Sequence, residues 1–289
     1  VGSMQGAFAS FMICGHTNKE KDTVLFIDPG FPVHKFQTKI LGLKMESFDI
    51  YEYRGEKLRE KLESIFSTGK IHSVLYSNPN NPTWVCLTDE ELKIIGELAN
   101  KYDVIILEDL AYFGMDFRKD YSHPGVAPFQ PTVGKYTDNY ILMLSTSKAF
   151  SYAGERCAVL GISNKLAERR YPDLKEFCGQ EIFARGIIFG ALHPLSSGTS
   201  HSAQYAVAGV MKAVNDGTYN YRDDVLEYGE KAKMMKDAFT SNGFKFTYDE
   251  DLGEPIADGF YFTYYYPGFT GAELLEKMLY YGISAISLD

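Results

Sequence analysis

The first two thirds of the chain alternate short apolar runs with longer segments whose apolar residues recur at helical spacing. Each short run ends at glycine, proline or polar residues, and this pattern predicts buried strands. The predicted strands cover residues 23–27, 43–49, 73–76, 103–107, 140–144 and 158–162. The predicted helices cover residues 4–13, 33–42, 55–67, 89–102, 164–175, 180–194, 200–215 and 218–242. Strands that alternate with helices predict a doubly wound α/β domain, in which ligands bind at strand ends.

The pattern changes near the end of the longest predicted helix, and aromatic strands follow. Strands are predicted over residues 244–248, 259–264 and 283–288, and a capping box from Thr270 to Glu273 predicts a helix between the last two. We therefore predict a large domain over residues 1–220 and part of a smaller α+β domain over residues 221–289. The chain begins at Val1 without a methionine and stops inside the last predicted strand, so both ends are expected to be truncated.

Composition narrows the class of protein. With 45% hydrophobic and 23% charged residues, the chain is globular. A net charge of −9 disfavours a nucleic acid or an anionic membrane as partner, and no apolar run has the length of a membrane helix. The four cysteines stand far apart, as expected of reduced thiols in a cytoplasmic protein, and the scattered histidines predict no metal site.

Three predicted strands run into turns that carry candidate ligand-binding residues. Phe31 projects from a turn fixed by prolines and a glycine, and it can stack on a flat cofactor or pack in the core. Asn81 lies in an Asn- and Pro-rich turn, where its amide can donate to a ligand oxygen. Asp109 can pair with a protonated pyridine nitrogen or cap a helix. Tyr112 follows shortly after it.

Lys148 follows the apolar run 140–144 in a hydroxyl-rich loop with Ser145 and Ser147. A lysine in a shielded site near another cation can lose its proton and act as a nucleophile. Arg156 and the two serines could hold a phosphate, and a lysine ringed by phosphate ligands is what pyridoxal 5′-phosphate requires. The alternative is a surface lysine and arginine that flank a turn.

The start of the first predicted helix is a second candidate phosphate site. Gly2 and Ser3 stand at its N-cap, directly before Met4. The free N–H groups and the dipole of a helix start attract anions, although serine is also a common cap in proteins that bind nothing there.

In this order the motifs resemble the fold-type I pyridoxal-phosphate enzymes, specifically the class I/II aminotransferase family. The resemblance covers nearly the whole chain and implies a three-layer, mostly parallel sheet. It implies Lys148 as the imine-forming lysine, Asp109 on the pyridine nitrogen, and Asn81 and Tyr112 on the phenolic oxygen. The cofactor-binding set that it implies is Ser3, Met4, Phe31, Asn81, Asp109, Tyr112, Ser145, Ser147, Lys148 and Arg156.

The chain departs from the family pattern at several points. Trp84 stands where the family usually has glycine after Asn-Pro-Thr, and Ala158 stands where glycine often follows the arginine. The arginine that grips the substrate carboxylate would lie beyond Asp289, so no residue here is assigned that role. The family is usually dimeric with shared active sites, and the loop 196–200 resembles the segment that reaches the partner.

The resemblance implies an aminotransferase that moves an amino group between an amino acid and a 2-oxo acid, as a cytoplasmic homodimer without nucleic-acid or membrane partners. A carbon–sulfur lyase or an amino-acid decarboxylase on the same fold would use the same cofactor contacts. A non-catalytic ligand-sensing domain of a transcription regulator is a further alternative. It would require a basic DNA-binding segment upstream, and the acidic chain contains none.

Overall fold

A six-stranded sheet forms the centre of the molecule in the computed structural model, which describes residues 1–256 and 259–288. Its strands are β1 Thr23–Asp28, β2 Lys44–Asp49, β3 Ile71–Ser77, β4 Ile105–Leu110, β5 Tyr140–Ser145 and β6 Ala158–Ile162. The spatial order is β2-β1-β3-β4-β5-β6. The first five strands are parallel to their neighbours, and β6 is antiparallel to β5. The predicted doubly wound, mostly parallel α/β sheet is confirmed.

Helices cover both faces of this sheet. The first four are α1 Gly2–Cys14, α2 Val33–Ile40, α3 Glu56–Phe66 and α4 Asp89–Tyr102. The buried faces of α3 and α4 pack on one side of the sheet, whereas α1 packs on the other side with the helical segment around Ile187. The capping box predicted at Thr88 is present, since Thr88 and Glu91 each bond the other's backbone N–H.

The strand predicted over 103–107 is shifted toward the C-terminus. Asp103 adopts the left-handed conformation with φ 51° and ends α4, so β4 begins only at Ile105. As a result Glu108 and Asp109 lie within the strand, not after it. The two carboxylates therefore point to opposite faces of the sheet.

The segment after β6 contains more helices than predicted. They are α5 Asn164–Glu168, α6 Pro172–Cys178, α7 Phe183–Arg185, a π-helical stretch Gly186–Leu192, α8 His193–Ser196, α9 His201–Asn215 and α10 Tyr221–Ser241. The single helix predicted over 164–175 is wrong. Arg169 and Tyr171 are extended and Arg170 bridges to Ile182, because the residue before a proline avoids helical backbone and Pro172 starts a new helix.

The C-terminal part contains short strand pairs and one helix. These are β7 Lys245–Phe246 with β10 Tyr264–Tyr265, β8 Glu250–Asp251 with β9 Glu254–Pro255, and α11 Gly271–Tyr280. The strand predicted over 259–264 is wrong except at its last residue, and the described residues 283–288 form no strand. The two-residue β7–β10 ladder offers them no long edge to pair with. The division into 1–220 and 221–289 stays a prediction.

Helices that could cross a membrane are absent from the described ranges: none is both long and apolar enough.

Candidate active site

The candidate residues named from the sequence follow strands that end at one edge of the sheet. Strands β1, β3, β4 and β5 are parallel, so their carboxyl ends meet at that edge. The antiparallel β6 starts there, since Ala158 pairs with Ser145 at the end of β5. The turns that carry Phe31, Asn81 and Lys148 therefore lie side by side with Asp109 near the end of β4, where open α/β sheets bind ligands.

Asn81 and Tyr112 meet directly. The Asn81 Nδ2 donates to the Tyr112 phenolic oxygen over 3.1 Å. Tyr112 is buried, and burial together with the neighbouring Tyr261 raises the pKa of its hydroxyl well above the usual value. Tyr112 therefore keeps its proton; its oxygen accepts from Asn81, and Tyr261 is a second hydrogen-bond neighbour of the hydroxyl.

The turn that presents Asn81 is held by its own asparagines. Asn80 Nδ2 donates to the Pro29 carbonyl over 2.7 Å, which ties this turn to the turn after β1. Asn78 Oδ1 accepts from the Leu87 amide over 3.1 Å. These bonds replace the backbone pairing that prolines forbid, so the turn is fixed although it belongs to no regular element.

Asp109 lines a crevice with Phe31, His34 and Ser77. Its carboxylate is only 8% exposed, accepts from the Ala111 amide over 3.1 Å, and lies 3.5 Å from His34 Nε2. Asp109 lies inside β4, and the alternative role of helix N-cap is therefore wrong. Phe31 is 40% exposed and meets His34 edge to face, so its ring is available to a flat ligand.

His34 was missed by sequence reasoning. It lies one helical turn after Phe31, in the first turn of α2, and this spacing puts both residues on the same side of the helix start. The spacing from Phe31 was therefore the signal in the sequence that could have pointed to His34. The proximity of His34 to Asp109, which belongs to a distant strand, could not be read from it.

Glu108 occupies the other face of β4 from Asp109. Its buried Oε2 accepts from Thr132 Oγ1 over 2.5 Å and from the Val133 amide over 3.1 Å. Burial raises the pKa of the carboxyl from 4.5 to about 7, and the two hydrogen bonds offset only part of that rise.

Glu108 should make stability depend on pH. Between pH 4.5 and about 7 the folded protein keeps a proton on Glu108 that the unfolded chain releases, so the contribution to stability is full below 4.5 and is lost as pH rises through 7. We expect the unfolding free energy of wild type, relative to Glu108→Gln, to fall by at most about 3 kcal/mol over that interval. Denaturant melts of both proteins at several pH values measure it. A difference that stays constant with pH would contradict the assignment.

The loop that carries Lys148 is braced at both ends. The Ser147 amide donates to Ser145 Oγ over 3.2 Å, and Thr146 Oγ1 donates to the Cys157 carbonyl over 2.8 Å. Lys148 Nζ lies 5.5 Å from the centre of the Phe260 ring, which in turn lies 6.0 Å from the Tyr112 ring. The Phe260 ring is therefore a common neighbour of the lysine amine and of Tyr112.

Arg156 lies against the start of α1. Both Gly2 and Arg156 have left-handed backbone, with φ 72° and 53°, and a Cβ on Gly2 would lie 2.7 Å from Arg156 Nη2. The helix begins at Gly2 with Val1 as N-cap, so the predicted cap at Gly2–Ser3 is wrong by one to two residues. Ser3 and Met4 lie in the first turn, where backbone N–H groups have no helical partner. A guanidinium across a helix start forms a cationic cradle.

The loop 196–200 approaches the same helix start. Ser196 and Thr199 line a cavity of about 220 Å³ together with Gly2 and Ala158. The resemblance relates this loop to a contact with a partner subunit. In this chain the loop lies beside the cradle formed by Arg156 and the start of α1.

Known proteins resemble this chain over most of its length. The sequence profile of the family described as aminotransferase class I and II matches residues 2–251. Glutamate–pyruvate aminotransferase AlaC of Escherichia coli is 28% identical over 79% of this chain and 51% of its own length. Cystathionine beta-lyase of Corynebacterium glutamicum is 25% identical over 60% of this chain and 44% of its own length. The chain thus spans about half the length of these curated relatives.

The solved structures support the fold. A double mutant of Thermus thermophilus aspartate aminotransferase superposes with a TM-score of 0.71 over 99% of this chain and 66% of that protein, at 16% sequence identity. At this identity the likeness establishes the α/β fold alone.

Proposed function

Because this chain belongs to the aminotransferase class I and II family, we propose that it transfers an amino group between an amino acid and a 2-oxo acid, with pyridoxal 5′-phosphate as cofactor. The observation that carries the proposal is that Lys148 and Tyr112, which is bonded to Asn81, both lie beside the Phe260 ring. A primary amine and a phenol with its amide partner around one ring suit an aldehyde with a neighbouring phenolic oxygen.

The residues fit the separate parts of that cofactor. The glycine at the start of α1 leaves room for Arg156, and the cradle formed by Arg156 and the first helical turn suits a phosphate. Ser145 pairs with Ala158, which lines the same cavity as Gly2. The exposed ring of Phe31 suits stacking on a flat ring. The buried Asp109 beside it suits an ion pair with a protonated ring nitrogen.

These residues would have separate roles in the reaction. When bound, the cofactor supplies the electron sink for the bond that breaks at the amino-acid Cα. Lys148 would hold the cofactor through its amine and, once that amine is free, would take up the proton from the substrate Cα. Asp109 would hold the proton on the ring nitrogen, and His34 would hold Asp109 in place. Asn81 and Tyr112 would donate to the phenolic oxygen.

A carbon–sulfur lyase is the second candidate, because the relative from Corynebacterium glutamicum carries the name cystathionine beta-lyase. The cofactor contacts would be the same in a lyase, a decarboxylase and an aminotransferase, so only products separate them.

Product analysis tests the proposal. The complete gene product, loaded with pyridoxal phosphate, should convert one member of an amino-acid panel to its 2-oxo acid and form an equal amount of a new amino acid from an added 2-oxo acid. Thiol or amine products with no new amino acid would overturn the proposal in favour of a lyase or a decarboxylase.

A cytoplasmic homodimer is part of the proposal. The exposed side chains of Phe36 and Ile40 on α2, at 62% and 74%, support a face covered by a second copy. The four cysteines form no disulfide, which agrees with a reducing compartment.

A further inference from the structure

Trp84 is the only tryptophan of the chain and lies in an unusual backbone conformation. It follows the turn of Asn81 with φ 62°, in the left-handed region where a residue with a Cβ is strained. Glycine adopts this conformation freely, yet here the largest side chain occupies it and is fully buried. Packing on the indole must therefore offset the backbone strain.

The indole packs against a glycine from a distant part of the chain. A Cβ on Gly259 would lie 1.9 Å from Trp84 Cε2, so only glycine fits opposite the ring. The Tyr112 ring lies 5.0 Å from Trp84, and the rings of Phe260 and Tyr261 lie 6.5 and 6.4 Å away. The large residue at 84 and the small one at 259 are thus complementary, and together they join the Asn81 turn to residues 259–261.

Asp251 attaches the same part of the chain at a second point. Its Oδ2 accepts from the Cys86 amide over 3.2 Å, two residues beyond Trp84. The carboxylate also pairs with Arg54 at 2.5 Å and with Arg118 at 3.0 Å, and it is buried. Separating this carboxylate from its two arginines is costly, because the buried charge of Asp251 would lose both of its cationic partners. The contact of Asp251 with the Cys86 amide attaches the β8–β9 region, and the contact of Gly259 with Trp84 attaches residues 259–261, to the Asn81 turn.

This attachment determines what lies over Lys148. The Phe260 ring is 5.5 Å from Lys148 Nζ, and Tyr228 stacks on Phe260 at 4.0 Å. A ring at this distance attracts the ammonium form of the lysine and keeps water from the amine. A substrate Cα that exchanges a proton with Nζ must lie beside the same ring.

We propose that Trp84 is a positioning residue, which fixes residues 259–261 against the Asn81 turn so that Phe260 forms an aromatic wall over Lys148. This inference rests on the proposed function, since it concerns the amine that binds the cofactor. In this proposal the enclosed Trp84 acts through Phe260.

Fluorescence of the single tryptophan tests the first step without any cofactor. In the wild-type protein we expect blue-shifted emission that acrylamide quenches poorly, because the indole is enclosed. Gly259→Ala should shift the emission to the red and increase quenching, since its Cβ displaces the indole or the segment. Unchanged emission and quenching in Gly259→Ala would show that the two are not packed together, and the inference would fail.

Covalent binding of pyridoxal phosphate tests the second step. Absorbance titrations should show affinity weakened about tenfold in Trp84→Gly and in Phe260→Ala, the size expected when the packing of one aromatic ring beside the bound lysine is lost. The double variant should be no weaker than either single one, because both changes remove the same wall. Trp84→Phe should keep affinity within about threefold of wild type, since a ring still fills the gap opposite Gly259.

A buried aromatic far from the site provides the control. Phe183 is fully buried on the α1 side of the sheet, so Phe183→Ala should lower thermal stability and leave the affinity for pyridoxal phosphate unchanged. If Trp84→Gly fails to fold, the affinities of Trp84→Phe and Phe260→Ala for pyridoxal phosphate still test the inference. Unchanged affinity in Phe260→Ala, or additive losses, would overturn this inference alone. A wild-type protein that never binds pyridoxal phosphate covalently would overturn it together with the proposed function.

Discussion

Lys148→Ala is expected to lower kcat by about 10⁴-fold in the complete gene product, the upper range for loss of a general acid–base group. The lysine would both bind the cofactor aldehyde and move the proton, and no other amine approaches the Phe260 ring among the described contacts. Steady-state turnover with the identified amino-acid donor measures the loss. Added methylamine should restore part of the rate, because it can replace the missing amine.

The control for this change is Lys165→Ala. Lys165 is a largely exposed lysine that pairs with Asp138 at 3.8 Å on the surface, and its loss should leave kcat unchanged. Appreciable transamination by Lys148→Ala without added amine would mean that the lysine assignment is wrong.

Asp109→Asn is expected to lower kcat by about 10²- to 10³-fold, as for other single electrostatic contacts at a reacting centre. Asparagine keeps the shape of the side chain but lacks the negative charge that would hold a proton on the ring nitrogen. His34, 3.5 Å away, would also lose its charged partner. Turnover and cofactor affinity should be measured together, since the change should affect kcat more than binding.

Glu108→Gln is a closely matched control for Asp109→Asn. Glu108 is the preceding residue of the same strand, is also buried, and faces Thr132 on the other side of the sheet. Its replacement should alter the pH dependence of stability and leave kcat unchanged. If Glu108→Gln lowered kcat while Asp109→Asn did not, the two faces of β4 would have been assigned the wrong roles.

Local patterns were sufficient to predict the sheet and the edge of it at which the candidate residues lie. Buried strands of a parallel sheet are continuous apolar runs, so β1, β3, β4 and β5 were visible, and the residues just after them were the candidates. The capping boxes at Thr88 and Thr270 were also local signals, and both are present.

Contacts between distant parts of the chain could not be predicted in this way. The approach of His34 to Asp109 and the fit of Trp84 to Gly259 depend on how the helix α2 and the C-terminal segment pack on the sheet. The break before Pro172 was visible in principle, but the helical pattern around it was given more weight than the proline. Aromatic alternation near the C-terminus predicted strands where no long pairing edge exists.

The most direct test of the account is to reduce the protein with borohydride in the presence of pyridoxal phosphate and to identify the labelled lysine by peptide mass. The account predicts the label on Lys148 and its absence from Lys35, a lysine that pairs with Asp28 in the crevice beside Phe31. A label on Lys35, or no label after reduction of the complete gene product, would contradict the claim that Lys148 is the residue around which the site is built.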